Sequence, residues 1–275
     1  MKTWFITGIS RGLGLALAQA ALDRGDTVIG AVRTGEPPLR PHKGTLHVLT
    51  LDVADGDAVT AAAAKAVDLA AGRLDVVVNN AGYGLLGAAE DASDAEIERL
   101  FAVDVFAPFH LIRAVLPALR AQGRGHIINI TSIAGRAPGP ASAFYAAAKF
   151  ALEGLTASLA QEVAPAGIKM TAIAPGAFRT DFLSDHSIRK SPARVAGYET
   201  TAGRAAQAFD AMAGKQLGDP ARAADAILAI ADEASPPLHL LLGSDALKRA
   251  RAKIEAVVAE MERYESLTLS TDFPE

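Results

Sequence analysis

TWFITGISRGLGLALAQAALDRG, residues 3–25, carries the reading that decides the fold. Thr3 to Thr7 is a short apolar, β-branched run and reads as a strand ended by Gly8. LGLALAQAALDRG then reads as a helix closed by Gly25. Between them lies TGISRGLG, Thr7 to Gly14, with glycines at 8, 12 and 14. Residues without a Cβ let backbone N–H groups approach a ligand, and the helix N-terminus behind them adds partial positive charge. The spacing is not G-x-G-x-x-G, yet a strand–turn–helix setting is the one a phosphate-binding turn needs.

The same alternation continues along the chain. DTVIGAV (26–32), LHVLTLDV (46–53), residues 74–78, GHIINITS (125–132) and GIKMTAIAPG (167–176) read as further strands. Helical stretches separate them at 54–72, from a Ser93 cap towards Gln122, and at 143–164. Short, nearly continuously apolar strands joined by helices call for a parallel sheet covered on both faces. The expectation is an α/β fold in three layers, a doubly wound parallel sheet forming one domain over 1–275. Residues 180–218 have scattered charge, several glycines and no strong strand signal, and read as a surface insertion or a lid over a pocket. A C-terminal helix is expected over 244–266. Leu247, Ala250, Ile254, Val257, Val258, Met261 and Tyr264 form its apolar stripe, which should dock on the domain or on a second subunit.

Composition narrows the class. The 275 residues are 50% hydrophobic and 21% charged with a net charge of −4, which argues against disorder and against a basic nucleic-acid surface. There are no cysteines, so disulfides and thiol catalysis are excluded. No uninterrupted apolar run looks long enough for a bilayer, and the N-terminus lacks a signal-peptide core, so a cytoplasmic protein without a membrane partner is expected. The six histidines show no ligand spacing, and no metal site is expected. His110 and His126 read as packing or surface residues, and His186 as an exposed lid residue within reach of substrate.

Two features bear on chemistry. YAAAK, Tyr145 to Lys149, sets a phenol and an ammonium at i and i+4, one turn apart on one helix face. Taken alone, the pentapeptide reads by default as an incidental surface pair. The second strand ends in Val32-Arg33, where folds that prefer NAD place an acid for the ribose 2′-hydroxyl. Arg33, and Arg11 in the glycine turn, would instead suit a 2′-phosphate, so NADP is favoured over NAD, unless both are ordinary exposed arginines.

Taken in order, TGISRGLG, LDV at 51–53, NNAG at 79–82, ITS at 130–132, YAAAK and PGAFRT at 175–180 resemble the short-chain dehydrogenase/reductase family in its short, single-domain, Rossmann-like form. The resemblance implies a turn in which Thr7, Gly8, Ser10, Arg11, Gly12, Leu13 and Gly14 hold the dinucleotide. It implies Asp52 and Val53 at the adenine, Asn80, Ala81 and Gly82 beside the cofactor, and Pro175, Gly176 and Thr180 at the nicotinamide. Ser132, Tyr145 and Lys149 would be catalytic. Tyr145 would carry the proton, with Lys149 lowering its pKa and holding ribose, and Ser132 would orient the substrate oxygen. The family usually has Asn where FAVDVF places Asp104. Asp accepts hydrogen bonds from lysine but, ionised, donates none, so it either keeps the relay or raises the tyrosine pKa.

These readings imply an NADP(H)-dependent enzyme acting on a small, apolar carbonyl compound or secondary alcohol, with a homodimer or homotetramer as possible assemblies. A nucleotide-sensing module on the same fold is the alternative. An epimerase or dehydratase of the superfamily is disfavoured by the short segment after Thr180. Phe178, Phe182 and Leu183 read as hinge packing or pocket wall, and Tyr83 and Gly84 as the pocket's edge.

Overall fold

The computed structural model describes residues 1–183 and 187–273, so His186 lies outside the described residues. The elements in chain order begin with β1 (Thr3–Thr7), α1 (Gly12–Arg24), β2 (Thr27–Val32), β3 (Thr45–Thr50), α2 (Gly56–Leu69), β4 (Val76–Asn79) and β5 (Gly84–Leu86). They continue with α3 (Asp94–Phe101), α4 (Ala107–Gln122), β6 (Gly125–Ile130), α5 (Ala143–Val163), β7 (Ile168–Pro175) and β8 (Ile188–Lys190). The last are α6 (Arg204–Met212), α7 (Pro220–Asp232), β9 (His239–Leu242) and α8 (Ser244–Leu269). Among the described residues one seven-stranded sheet runs β3-β2-β1-β4-β6-β7-β9, parallel throughout. This is the doubly wound α/β fold that the alternation of strands and helices predicts.

Alternate side chains along each strand divide the core in two. Trp4, Ile6, Val28, Val76, Val78 and Ile128 pack with α1 and α7 on one face. Phe5, Ile29, Val77 and Ile127 pack with α2 and α4 on the other. Gly25 ends α1 in the left-handed region at φ 92°, as expected of a glycine at that site. The strand order reverses between β1 and β4, so their carboxyl ends open a crevice at the point where such sheets bind ligands.

Several boundaries and elements differ from the sequence reading. β3 stops at Thr50, and the following LDV leaves the sheet. A seventh strand, β9, extends the sheet beside β7. The segment 180–218, expected to lack strand structure, contributes β8, which pairs in parallel with β5 as a second, two-stranded sheet. The neck of this segment is stitched by Arg179 N–H to Gly218 O at 2.8 Å and Gly218 N–H to Ala177 O at 3.0 Å. The long helix from Ser93 runs to Gln122 but passes through a π turn at Ala102–Phe106. By length and composition Asp94–Gln122 is apolar enough to cross a bilayer, although Asp104 and Arg113 interrupt its apolar run. The structure uses it as a core helix, with Leu111, Ile112, Val115 and Leu119 buried against the sheet and α2. The C-terminal stripe does not dock along its length: Ala246 and Ala250 are buried, whereas Ile254, Val258, Met261 and Tyr264 are exposed.

Candidate active site

At the end of β1 the chain turns through Gly8 (φ +77°) and Gly12 (φ +61°), conformations that L side chains rarely adopt. A Cβ on Gly14 would lie 2.3 Å from both Asn80 Nδ2 and the Gly8 carbonyl oxygen, so only glycine fits there. Asn80 holds the turn from behind. Its Nδ2 donates to Thr7 O at 2.9 Å and Gly8 O at 3.0 Å, while Asn80 N–H and Ala81 N–H donate to Thr7 Oγ1. No side chain caps α1. Its first N–H groups therefore remain for an anion at the mouth of a bare, glycine-lined cradle. That arrangement fits a dinucleotide pyrophosphate.

The cradle forms one end of a cavity of about 1110 Å³. Gly8, Ser10, Arg11, Gly12 and Leu13 line it, with Arg33 beyond β2 and Asp52 and Val53 after β3. Thr7 and Gly14 do not reach the cavity wall; they lie behind it and shape the turn. Asn80, Ala81 and Gly82 line its floor, and Pro175, Gly176 and Thr180 its far side. Arg33 is exposed, Arg11 Nε bonds Ser187 Oγ at 3.1 Å, and Asp52 pairs with Arg99 at 3.5 Å.

Ser132, Tyr145 and Lys149, from the end of β6 and from α5, meet on one wall of the same cavity. Ala146 and Ala148 of α5 pack on Ala134 in the turn at 133–135, small side chains that let the helix lie close. A Cβ on Gly135 would sit 2.9 Å from the Lys149 backbone. Lys149 Nζ lies 5.7 Å from the Tyr145 ring centroid, donates to Ile130 O at 3.2 Å, and stands 3.1 Å from Asp104 Oδ2. Asp104 itself lines no part of the cavity. It sits fully buried in the π turn, and its Oδ1 accepts from Tyr83 N–H at 3.1 Å. π turns often occur at functional sites.

The charges pull in opposing directions. Burial raises the Tyr145 phenol above its ordinary pKa; Lys149 opposes this, Asp104 adds to it, and the Ser132 hydroxyl opposes it, leaving Tyr145 raised. Lys149 pulls the Tyr145 pKa down, as expected of a cation beside the phenol, while burial and Asp104 push it up. Of the two roles weighed for Asp104, its charge acts in the sense of raising the tyrosine. Burial lowers Lys149, but the Asp104 charge, the Tyr145 oxygen and the hydrogen bond to Asp104 together outweigh it and hold the ammonium above its ordinary value. Burial likewise raises Asp104 against the pull of Lys149. The free site thus keeps a protonated phenol next to a charged lysine.

Other residues at the cavity were not singled out in the sequence. Asp245, in the first turn of α8, accepts from Ala177 N–H at 2.9 Å and fills the space where a Gly176 Cβ would stand. Gln216 lines the cavity with both amide atoms buried and without a partner among the described residues. An acid in a helix's first turn is an ordinary capping signal, and a glutamine in a loop gives none, so neither was legible. Phe178, Phe182, Leu183 and Tyr83 all line the cavity, and Phe182 packs on Tyr145 with ring centroids 6.0 Å apart. His126 is buried in β6 and bonds Thr171 Oγ1 at 2.9 Å, remote from this chemistry. Among the described residues no cluster of His, Asp or Glu could hold a metal ion.

Residues 2–190 match the family model described as short chain dehydrogenase, and the chain belongs to that oxidoreductase family with its nucleotide-binding Rossmann fold. Oxidoreductase BOA17 of Botryotinia fuckeliana is 38% identical over 274 residues, 98% of this chain and 99% of that protein. The crystal structure of a short-chain dehydrogenase from Streptomyces avermitilis superposes with a TM-score of 0.90 at 38% identity, covering 99% of this chain and 100% of that one. A metagenomic short-chain oxidoreductase, solved in complex with NADP, gives a TM-score of 0.69 at 30% identity over 88% of this chain and 96% of that one. A nicotinamide cofactor and a small-molecule substrate follow from membership.

Proposed function

We propose that the chain is an NADP(H)-dependent oxidoreductase acting on the carbonyl or secondary alcohol group of a small, largely apolar substrate. One observation carries this reading: Ser132, Tyr145 and Lys149 share a cavity with the glycine turn and with Arg33. When bound, the cofactor supplies or accepts the hydride. Tyr145 Oη gives its proton to the substrate oxygen in reduction and takes it back in oxidation. The phenol is protonated in the free site, which suits the reductive direction. Ser132 Oγ holds the same oxygen in line, and Lys149 supplies the positive charge that offsets a developing phenolate. Asp104 acts through Lys149 and is a positioning residue.

Arg33, with Arg11, suits a 2′-phosphate, and the NADP complex of the metagenomic relative supports that choice over NAD. Gly8, Ser10, Gly12 and Leu13 would present N–H groups to the pyrophosphate, with Thr7 and Gly14 shaping the turn. Asp52 and Val53 would border the adenine, Asn80 to Gly82 the adjoining ribose, and Pro175, Gly176 and Thr180 the nicotinamide. Phe182, Leu183, Ile188, Phe209 and Met212, all from the 180–218 segment, give the cavity an apolar side and make that segment the substrate lid of a single domain.

The test is NADPH consumption over a panel of aldehydes and ketones, with calorimetric binding of NADPH in parallel. Turnover that Tyr145→Phe lowers by about 10²–10⁴-fold while NADPH still binds supports the proposal. Binding without turnover across the panel makes the chain a nucleotide-binding regulator instead. Failure to bind NADPH overturns the reading.

A further inference from the structure

Most cations that line the cavity already have partners. Lys149 pairs with Asp104, Arg99 with Asp52 and Lys190 with Asp210. Arg11 donates to Ser187 Oγ and Arg249 to the Ala137 carbonyl. Two guanidiniums at the cavity have neither an ion pair nor a hydrogen bond among the described residues: Arg33 and Arg189. A cation on a cavity wall with no anion beside it favours a charged ligand over a neutral one. Arg33 suits the 2′-phosphate of the cofactor. The cofactor reading gives Arg189 no role.

Arg189 stands at the reaction end. β8 sets it opposite Leu85 of β5, and Leu85 packs in the cluster that holds Tyr145. Its guanidinium carbon lies 5.6 Å from the centroid of the Tyr83 ring. Stacking on an aromatic face leaves the N–H edge of a guanidinium open to a planar anion. The Tyr83 N–H donates to Asp104 Oδ1 at 3.1 Å, so the residue under Arg189 is tied to the carboxylate that pairs with Lys149. Glu96 also lines the cavity, but its Oε2 is taken by the Ser93 N–H and Oγ at 3.0 and 2.8 Å, and it forms no ion pair with Arg189.

We infer that the substrate carries a carboxylate, and that Arg189 receives it while the substrate carbonyl faces Tyr145. The inference rests on the carbonyl-reducing reading above and narrows it to oxo acids, or the matching hydroxy acids, with an apolar stretch between the two groups. Phe182, Ile188 and Met212 give that stretch an apolar wall. An anion held at one end and a carbonyl at the other fix the direction in which the substrate lies.

The test is kcat/KM with NADPH for laevulinate and its two next homologues, each beside its methyl ester, with calorimetric binding of NADPH in parallel. The native protein should favour at least one acid over its ester by about 10- to 100-fold. Arg189→Gln, at an exposed site, should abolish that preference, chiefly through KM, and Arg189→Lys should keep part of it. NADPH should bind both variants as it binds the native chain. Equal turnover of acids and esters by the native protein overturns the inference, as does a preference that survives Arg189→Gln. Weaker NADPH binding by Arg189→Gln also overturns it, since the guanidinium would then serve a cofactor phosphate. If NADPH binds and no acid, ester or other ketone is reduced, the carbonyl-reducing reading itself falls and takes the inference with it.

Discussion

Lys149 Nζ lies 3.1 Å from Asp104 Oδ2, and the two side chains are 6% and 0% exposed. The Asp104 charge raises both Lys149 and Tyr145, so it opposes formation of a phenolate. Asp104→Asn removes that charge and keeps an acceptor for the lysine. The pH profile of alcohol oxidation, which needs the phenolate, should then move to lower pH, and the alkaline limb of ketone reduction should move the same way. Steady-state kcat against pH for both proteins checks this, and an unchanged or alkaline-shifted profile would count against it. Asp104→Leu takes the carboxylate away from the buried ammonium, which keeps Ile130 O as an acceptor, and urea denaturation should show a loss of about 3–5 kcal/mol.

Arg33 borders the cavity beyond β2, where a 2′-phosphate would meet a guanidinium. Arg33→Ser should lower kcat/KM for NADPH by about 10- to 100-fold, the loss of one charge-assisted contact, and leave NADH nearly untouched. Parallel kinetics with both cofactors measure the ratio. Equal losses with each would mean that Arg33 does not distinguish them.

Much of the site was legible because its chemistry is local. The glycine turn announces itself through a strand before it and a helix after it, and Tyr145 and Lys149 through helical spacing. Other features depend on what lies across the fold. β5 and β8 are three residues each, too short for a period, and exist because Gly84 N–H finds Ser187 O at 2.8 Å. β9 follows two prolines and is four residues long, so its strand character comes from β7 beside it. The π turn leaves no mark in FAVDVF. The stripe on α8 was visible, but periodicity shows only that a face will be covered, not by which surface. The sum of charges on Tyr145 depends on burial, which no pentapeptide reports.

Gly14 packs against Asn80 Nδ2 and the Gly8 carbonyl, and Gly8 is backbone that cannot swing away. Gly14→Ala should force the turn and β4 apart and cost about 1–3 kcal/mol. NADPH affinity should fall with it, since the same shift moves the cradle. Gly139→Ala is the control: it lines the same cavity, and nothing lies within 4 Å of its added Cβ. Denaturation and calorimetry should separate the two variants, and equal behaviour would refute the packing argument.

His126 is buried in β6, and its pKa is pushed down to about 3 by burial first and then by Lys169 and Lys2. The folded protein thus refuses a proton that the unfolded chain accepts below about pH 6.5. A group depressed on folding contributes stability above its unfolded value and loses it as the pH falls towards the folded one. Between about pH 6.5 and pH 4.5 the native protein should therefore lose about 2–3 kcal/mol from this residue. His126→Gln keeps an amide in reach of Thr171 Oγ1 and has nothing to titrate, so it should lack that part of the acid sensitivity. Acidification should therefore destabilise the native protein relative to the variant. Urea denaturation of both proteins at the two pH values gives the comparison. Carboxylates titrate alike in each, so the change in their difference isolates His126. A difference that stays constant with pH would mean the imidazole is already protonated in the fold or reaches water there.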